Sequence, residues 1–148
     1  MALTVRPVTD ADFTTWCDLW DKYLEFYETT RGDAVKEASW ARIMDPNSPM
    51  FSQLAEVDGV AVGLVNYLFH PIFWEETDLC YLNDLYVNED ARGSGAGAAL
   101  VQAVVDAAAG AGIDGVYWLT AEDNTRARKL YDRIAEKTPF IHYVIGNA

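Results

Sequence analysis

From Val87 to Leu100 the chain reads Val-Asn-Glu-Asp-Ala-Arg-Gly-Ser-Gly-Ala-Gly-Ala-Ala-Leu, with Gly93, Gly95 and Gly97 crowded beside Arg92. Glycines let a backbone wrap closely around a phosphate. The first turn of a helix offers unpaired N–H groups and a partial positive charge. The segment Arg92, Gly93, Ser94, Gly95, Ala96, Gly97, Ala98 is therefore expected to form an anion cradle suited to a pyrophosphate. No Gly-Lys-Ser/Thr follows, which excludes a P-loop. Leu100 stands where a dinucleotide fingerprint needs its third glycine, and the loop falls late in the chain.

Asp84 is the next group able to do chemistry. It sits with Asn83 in the otherwise apolar run Leu79–Val87, where an isolated carboxylate is costly. It reads either as a proton acceptor or as a carboxylate tied to backbone for structure. Asn124 and Tyr131 are two helical turns apart and share a face. Taken alone, the first is a helix cap and the second a half-buried tyrosine. Cys17 and Cys80 read as reduced packing residues. No histidine is placed to activate Cys80, and neither His70 nor His142 has metal-ligand spacing, so no metal is expected.

These residues need elements to position them. Leu3–Val8 predicts a first strand, and Asp10 or Asp12 can cap the helix after it. In that helix Phe13, Trp16, Trp20, Tyr23, Leu24 and Tyr27 recur at helical spacing. Trp16 and Trp20 are expected in the core, with Tyr23 and Tyr27 toward a pocket. A second helix covers about 34–43. Strands follow at 51–57, 60–69 and 79–87, the first two joined by the Asp58-Gly59 hairpin signal. A helix after the glycine loop ends at Gly110 or Gly112. A strand at 115–120, a helix from Asp123 or Asn124 to about 135 and a last strand at 140–145 complete the order. The three central strands predict an antiparallel meander, and strands joined by helices are expected to be parallel. The fold class is α/β, with a mixed sheet.

The sequence has 148 residues, 51% hydrophobic and 23% charged, which suits one soluble globular domain. No apolar run approaches a membrane span, and the N-terminus lacks the character of a signal peptide, so a cytoplasmic location is expected. A net charge of −12 opposes nucleic acid and anionic lipid and favours a cationic partner.

The pattern Arg-x-x-Gly-x-Gly from Arg92 to Gly97, after a strand ending Leu85-Tyr86-Val87 and before Leu100, resembles the coenzyme A pyrophosphate loop of the GNAT family of N-acetyltransferases. Asn124-Thr-Arg-Ala127-Arg-Lys-Leu130-Tyr131 is similar to the helix on which that family places an Asn, an Ala and a Tyr. The likeness covers nearly the whole chain. It is nearest the branch of diamine and thialysine acetyltransferases and fungal histone and polyamine acetyltransferases, through Cys80–Val87, Val116–Thr120 and the aromatic first helix.

The resemblance implies a single N-acetyltransferase domain over 1–148, with the mixed, mostly antiparallel sheet of the acyl-CoA N-acyltransferases flanked by helices. It implies acetyl-CoA as co-substrate and transfer of acetyl to a primary amine of a polyamine, a lysine-like compound or another amino acid. Pantetheine would pair with Leu85 and Val87, an N–H near Leu85 or Tyr86 would polarise the thioester, and Asn124 would hold the pantetheine arm. Tyr131 would protonate the departing thiolate. Asp84, Glu122 or Glu28, or water ordered by them, would take the amine's proton. Tyr23, Tyr27, Glu28, Trp74 and Glu122 are the substrate-pocket candidates. Where relatives often carry Glu, this chain has Asn83, which cannot be a base. A non-catalytic acyl-CoA-binding module, a protein-lysine acetyltransferase and a nucleotide-binding domain are the rival readings. A homodimer is expected, formed through the unfinished sheet edge at the C-terminal strand.

Overall fold

The computed structural model describes residues 2–147. They divide into two units, the first ending at Trp118 and the second beginning at Leu119. The first unit holds β1 (Leu3–Pro7), a 3-10 turn at Asp10–Asp12, α1 (Phe13–Phe26), α2 (Asp33–Met44), β2 (Met50–Val57), β3 (Val60–His70), β4 (Leu79–Val87), a 3-10 turn at Glu89–Ala91, α3 (Ala96–Gly110) and β5 (Val116–Tyr117). The sheet order is β1-β2-β3-β4-β5. The first three pairings are antiparallel and β4-β5 is parallel. The second unit holds α4 (Thr125–Ile134). The expected mixed, mostly antiparallel sheet is present.

Local chemistry explains the turns. Asp58 and Gly59 have φ of 51° and 82°, the doubly left-handed backbone that matches hairpin twist. Asp12 stands at the N-cap position of α1, yet its carboxylate turns elsewhere. It accepts from Arg6 Nη1 and Nη2 at 2.8 and 2.9 Å and from the Thr9 N–H at 2.7 Å, so it closes the preceding 3-10 turn.

Each sheet face has its own core. Cys80, Leu82, Val65, Tyr67 and Ala55 pack with Leu100, Val101, Val104 and Ala108 of α3. Leu54 and Leu64 pack on the opposite face with Trp16 and Leu19 of α1 and with Trp40 and Ile43 of α2. Trp16 is 1% exposed, and the aromatic stripe of α1 is core at its first half, as expected.

Three expectations are corrected. β1 and β2, joined by helices, are antiparallel, with Leu3 facing Val57 and Pro7 facing Gln53. One helix returns a chain to the end of the sheet where it started; two leave it at the other end, so the next strand enters reversed. β5 is Val116–Tyr117 alone, not 115–120. Residues 140–145 form no strand. Their β-branched and aromatic composition supplies propensity, but a strand exists only as part of a ladder, and Phe140, Ile141, Tyr143 and Ile145 stay 74–100% exposed. The C-terminal edge from which the homodimer was inferred is therefore absent among the described residues. No helix there is long and apolar enough to cross a membrane.

Candidate active site

The site begins with a slip in the β3–β4 ladder. Asn66 faces Asp84 and Tyr67 faces Leu82, so Asn83 is left over as a β-bulge. The extra residue exchanges the faces of the strand. Before it, Cys80 and Leu82 point into the α3 core; after it, Leu85 and Val87 do. Asp84 and Tyr86 are thereby turned to the α1 side. Without the bulge Asp84 would follow Leu82 into an apolar core, where an unpaired carboxylate is costly.

The same slip sets the direction of the backbone amides. Along a strand, successive N–H groups point to alternate sides. Asn88 N–H donates to the Val62 carbonyl at 2.7 Å, toward β3. Counting back, Tyr86 also faces β3, while Val87 and Leu85 direct their N–H groups to the opposite edge. On that edge β5 pairs only with Cys80 and Tyr81. The strands part at Tyr81–Tyr117, whose rings stack at 4.9 Å, and Tyr117 Oη lies 2.8 Å from His70 Nε2.

The open edge runs straight into the glycine loop. Gly93 and Gly95 have φ of 86° and 89°, and Gly95 is the N-cap residue of α3. Ala96 N–H donates to Ser94 Oγ at 3.3 Å. The helical ladder opens with Ala99 N–H on the Gly95 carbonyl at 3.0 Å. Gly97 and Ala98 precede it, in the turn whose N–H groups have no carbonyl one turn back. Arg92 is half-buried nearby. Burial raises the Tyr86 phenol, and the charge of Arg92 pulls it down. Left-handed glycines, a helix N-terminus and one arginine fit a phosphate group. The extended open edge beside them fits a chain leading away from it.

On the α1 face a line of polar groups ends at Asp84. Trp16 Nε1 donates to Ser52 Oγ and to Asn66 Oδ1, both at 3.1 Å. Asn66 Nδ2 donates to Asp84 Oδ2 at 3.1 Å, and Asn83 Nδ2 donates to the same oxygen at 2.9 Å. Tyr23 of α1 also hydrogen-bonds the Asp84 carboxylate. Asp84 is 8% exposed. Burial raises its pKa above the ordinary carboxylate value, and the bonds from Asn83, Asn66 and Tyr23 oppose that rise. Asp84 is thus tied to side chains rather than to backbone.

Tyr23 also meets Tyr27 edge-on at 5.1 Å and Tyr86 edge-on at 6.4 Å. Glu28 follows with a left-handed φ of 54°. Together with Asp21, Glu25 and Arg31 it lines an open cleft beyond the end of α1. Trp74 lies on the β3–β4 loop, 89% exposed. Cys80 is 0% exposed, and burial pushes its thiol up to about 11, so it offers no thiolate nucleophile.

In the second unit, Asn124 is the N-cap residue of α4, and its Nδ2 donates to Thr120 Oγ1 at 3.4 Å. Tyr131 lies two turns along α4. The Glu122 carbonyl accepts from Arg128 Nη1 at 2.6 Å. Among the described residues no group of three or more His, Cys, Asp or Glu side chains could hold a metal ion. Reasoning from the sequence missed Asn66, Trp16 and Ser52 as the support of Asp84. The available signal was Asn66 itself, a lone amide in the apolar run 60–69.

Comparison with known proteins agrees with this geometry. Residues 13–135 match the acetyltransferase (GNAT) family. The D-amino-acid N-acetyltransferase HPA3 of Saccharomyces cerevisiae is 35% identical over 143 residues, covering 95% of this chain and 89% of the relative. The L-2,4-diaminobutyric acid acetyltransferase of Nocardia farcinica is 29% identical over 120 residues, covering 72% of this chain and 61% of the relative. Among solved structures, AAC(6')-Iy in complex with the bisubstrate analogue CoA-S-monomethyl-acetylneamine superposes with a TM-score of 0.86 over the whole of both chains. At 18% identity that likeness shows the fold alone.

Proposed function

The chain belongs to the acetyltransferase (GNAT) family, whose members are acetyl-CoA-dependent N-acetyltransferases, and from that premise we propose that it acetylates the primary amine of a small amino acid or diamine by direct attack in a ternary complex. The observation that carries the proposal is the continuity of the unpaired β4 edge with the glycine cradle. Leu85 and Val87 would pair with the pantetheine arm, and Arg92 with the N–H groups from Gly93 to Ala98 would hold the pyrophosphate. The bound thioester supplies an electrophilic carbonyl carbon and a thiolate leaving group. Leu85 is the oxyanion donor in this proposal, because Tyr86 N–H is turned to β3. Asn124 would steady the pantetheine arm, and Tyr131 would give a proton to the thiolate.

An alkylammonium has a pKa near ~10, so a group on the protein must take a proton before attack. Asp84 is the buried carboxylate beside the tyrosines of α1. The net charge of −12 favours a cationic acceptor. Amino-acid acceptors are favoured over a protein lysine by the two relatives named for such substrates. The association state enters the proposal as a homodimer, resting now on the exposed apolar run 140–145. Sedimentation velocity checks it, and a monomer at all concentrations removes it.

The experiment is CoA release from acetyl-CoA, read by a thiol reagent, with D- and L-amino acids, 2,4-diaminobutyrate, putrescine, spermidine and a histone-tail peptide. Turnover with amino acids or diamines and none with the peptide is expected. Acetyl-CoA binding without turnover on any amine would favour the non-catalytic reading.

A further inference from the structure

Asn83 and Asp84 are neighbours in sequence, yet the bulge brings the Asn83 amide onto the Asp84 carboxylate. Oδ2 of Asp84 accepts from Asn83 Nδ2 at 2.9 Å and from Asn66 Nδ2 at 3.1 Å. A carboxylate oxygen has about two lone-pair sites. Both are taken, so a proton arriving at Asp84 goes to Oδ1. The orientation of Asn66 is fixed independently. Its Oδ1 accepts from Trp16 Nε1, and an indole nitrogen only donates, so Nδ2 must face Asp84. Trp16 is itself held by the core and by Ser52.

We propose that Asn83 and Asn66 are positioning residues that clamp Asp84 as the proton acceptor for the substrate amine, and that the amide at position 83 keeps a second carboxylate away from it. The idea rests on the transferase reading above. The overall change is balanced: R–NH3⁺ and acetyl-CoA give R–NH–COCH3, CoA–SH and one proton. The proton moves first from the ammonium to Asp84 Oδ1, and solvent takes it at the end of the cycle. The freed nitrogen lone pair forms the N–C bond as the C–S bond breaks; Tyr131 gives its proton to the thiolate, and the second proton, shed by the acylated nitrogen, restores Tyr131 through solvent.

Glu at position 83 would remove a donor from Oδ2 and bring a second anion near it, and both changes disfavour the ionised form of Asp84. Restoring the acid at 83 is then harmful rather than helpful. The other titratable groups facing Asp84 are Tyr23 and Tyr27 from α1 and Tyr81 from its own strand; β3 presents the neutral Asn66.

Asn83 is exposed, so its replacement spares the core. The test compares wild type, Asn83→Ala, Asn83→Glu and Asp84→Asn. It reads the pH profile of kcat/KM and, in protein free of substrate, the titration of the Asp84 carboxyl carbon by 13C NMR. Asn83→Ala is expected to move the acid limb and the carboxyl titration together to higher pH by about one unit, and Asn83→Glu by more. Asp84→Asn is expected to lower kcat/KM by roughly 100-fold or more and to abolish the acid limb. Higher kcat/KM at neutral pH in Asn83→Glu, an acid limb that survives in Asp84→Asn, or a carboxyl titration unmoved by either Asn83 variant would overturn the proposal. The NMR titration needs no turnover, so a protein inactive on every amine would refute the transferase reading and still report on the clamp.

Discussion

Gly63 sits on β3 opposite Val87, behind the edge assigned to the pantetheine arm. A Cβ built there would lie 2.7 Å from the Tyr86 carbonyl oxygen and 3.3 Å from both Leu100 Cδ1 and Val87 Cγ2. Ordinary contact begins near 3.4 Å, so the first overlap is 3.4 − 2.7 = 0.7 Å, and it is with backbone. Gly115 makes the informative contrast. Its Cβ would come closer still, 2.5 Å from Leu79 Cδ2, but that atom ends a flexible side chain. If the kind of neighbour decides the cost, Gly63→Ala is the worse change although its closest distance is longer.

Overpacking against backbone costs typically 1–3 kcal/mol, so about 2 kcal/mol is expected for Gly63→Ala. A Leu rotamer adjustment costs about 0.5–1.5 kcal/mol, and Gly115→Ala belongs near the lower end. At this chain length 2 kcal/mol lowers Tm by roughly 4–8 °C. Pushing Tyr86 outward also shifts Leu85 and Val87. Loss of one hydrogen bond there weakens acetyl-CoA by about 2- to 12-fold. Thermal melts with and without acetyl-CoA, with calorimetric titration of the ligand, measure both effects. Equal melting points for the two variants, or unchanged acetyl-CoA affinity in Gly63→Ala, would refute the reasoning.

Three further outcomes are expected. Tyr131→Phe should lower kcat by about 100-fold while acetyl-CoA affinity, measured by calorimetry, stays within about two-fold; unchanged kcat removes Tyr131 from the acid role. Cys80→Ala should leave kcat within about three-fold, because a buried thiol pushed up to about 11 is no nucleophile; loss of more than about 100-fold would restore an acyl-enzyme route. The Arg6 guanidinium, chiefly by hydrogen bonding, holds the Asp12 carboxyl well below the usual carboxylate range. A depressed carboxylate stabilises the fold above its unfolded pKa near 3.9, and that contribution fades as pH falls through the folded value. Arg6 is 39% exposed, so screening limits the loss in Arg6→Gln to about 1 kcal/mol at pH 7. Urea melts should show the gap from wild type narrowing below about pH 4, and a constant gap down to pH 2 would contradict the assignment.

What could be read from the sequence was local. Asp58-Gly59 specifies its turn by the φ values those two residues tolerate, and the glycine loop announces a helix N-terminus within ten residues. Pairing was not legible in the same way. The direction of β2 depends on how many helices precede it, which is a property of the path and not of Met50–Val57. Residues 140–145 carry strand composition, but no composition supplies a partner. Asn66 and Asp84 stand 18 residues apart, and Trp16 and Asn66 stand 50 apart. A lone amide in an apolar strand signals that a partner exists without saying which.

The bulge is the hardest feature to read and the one on which the site turns. Cys80, Leu82, Leu85 and Val87 are all apolar, so apolarity alone does not show the slip at Asn83; the one hint is the acid Asp84 standing in phase with Leu82. Had the ladder continued unbroken, Asp84 would have shared the α3 face with Leu82, and the N–H of Leu85 would have been spent on β3. One extra residue reverses both. It sends the carboxylate to the face where Asn66 and Tyr23 can hold it, and it frees the amides of Leu85 and Val87 along the edge that β5 leaves unpaired. The proposed proton acceptor and the proposed oxyanion donor are thus placed by the same residue. The residue that does this need not itself be an acid, so the proposed mechanism accommodates an asparagine at position 83.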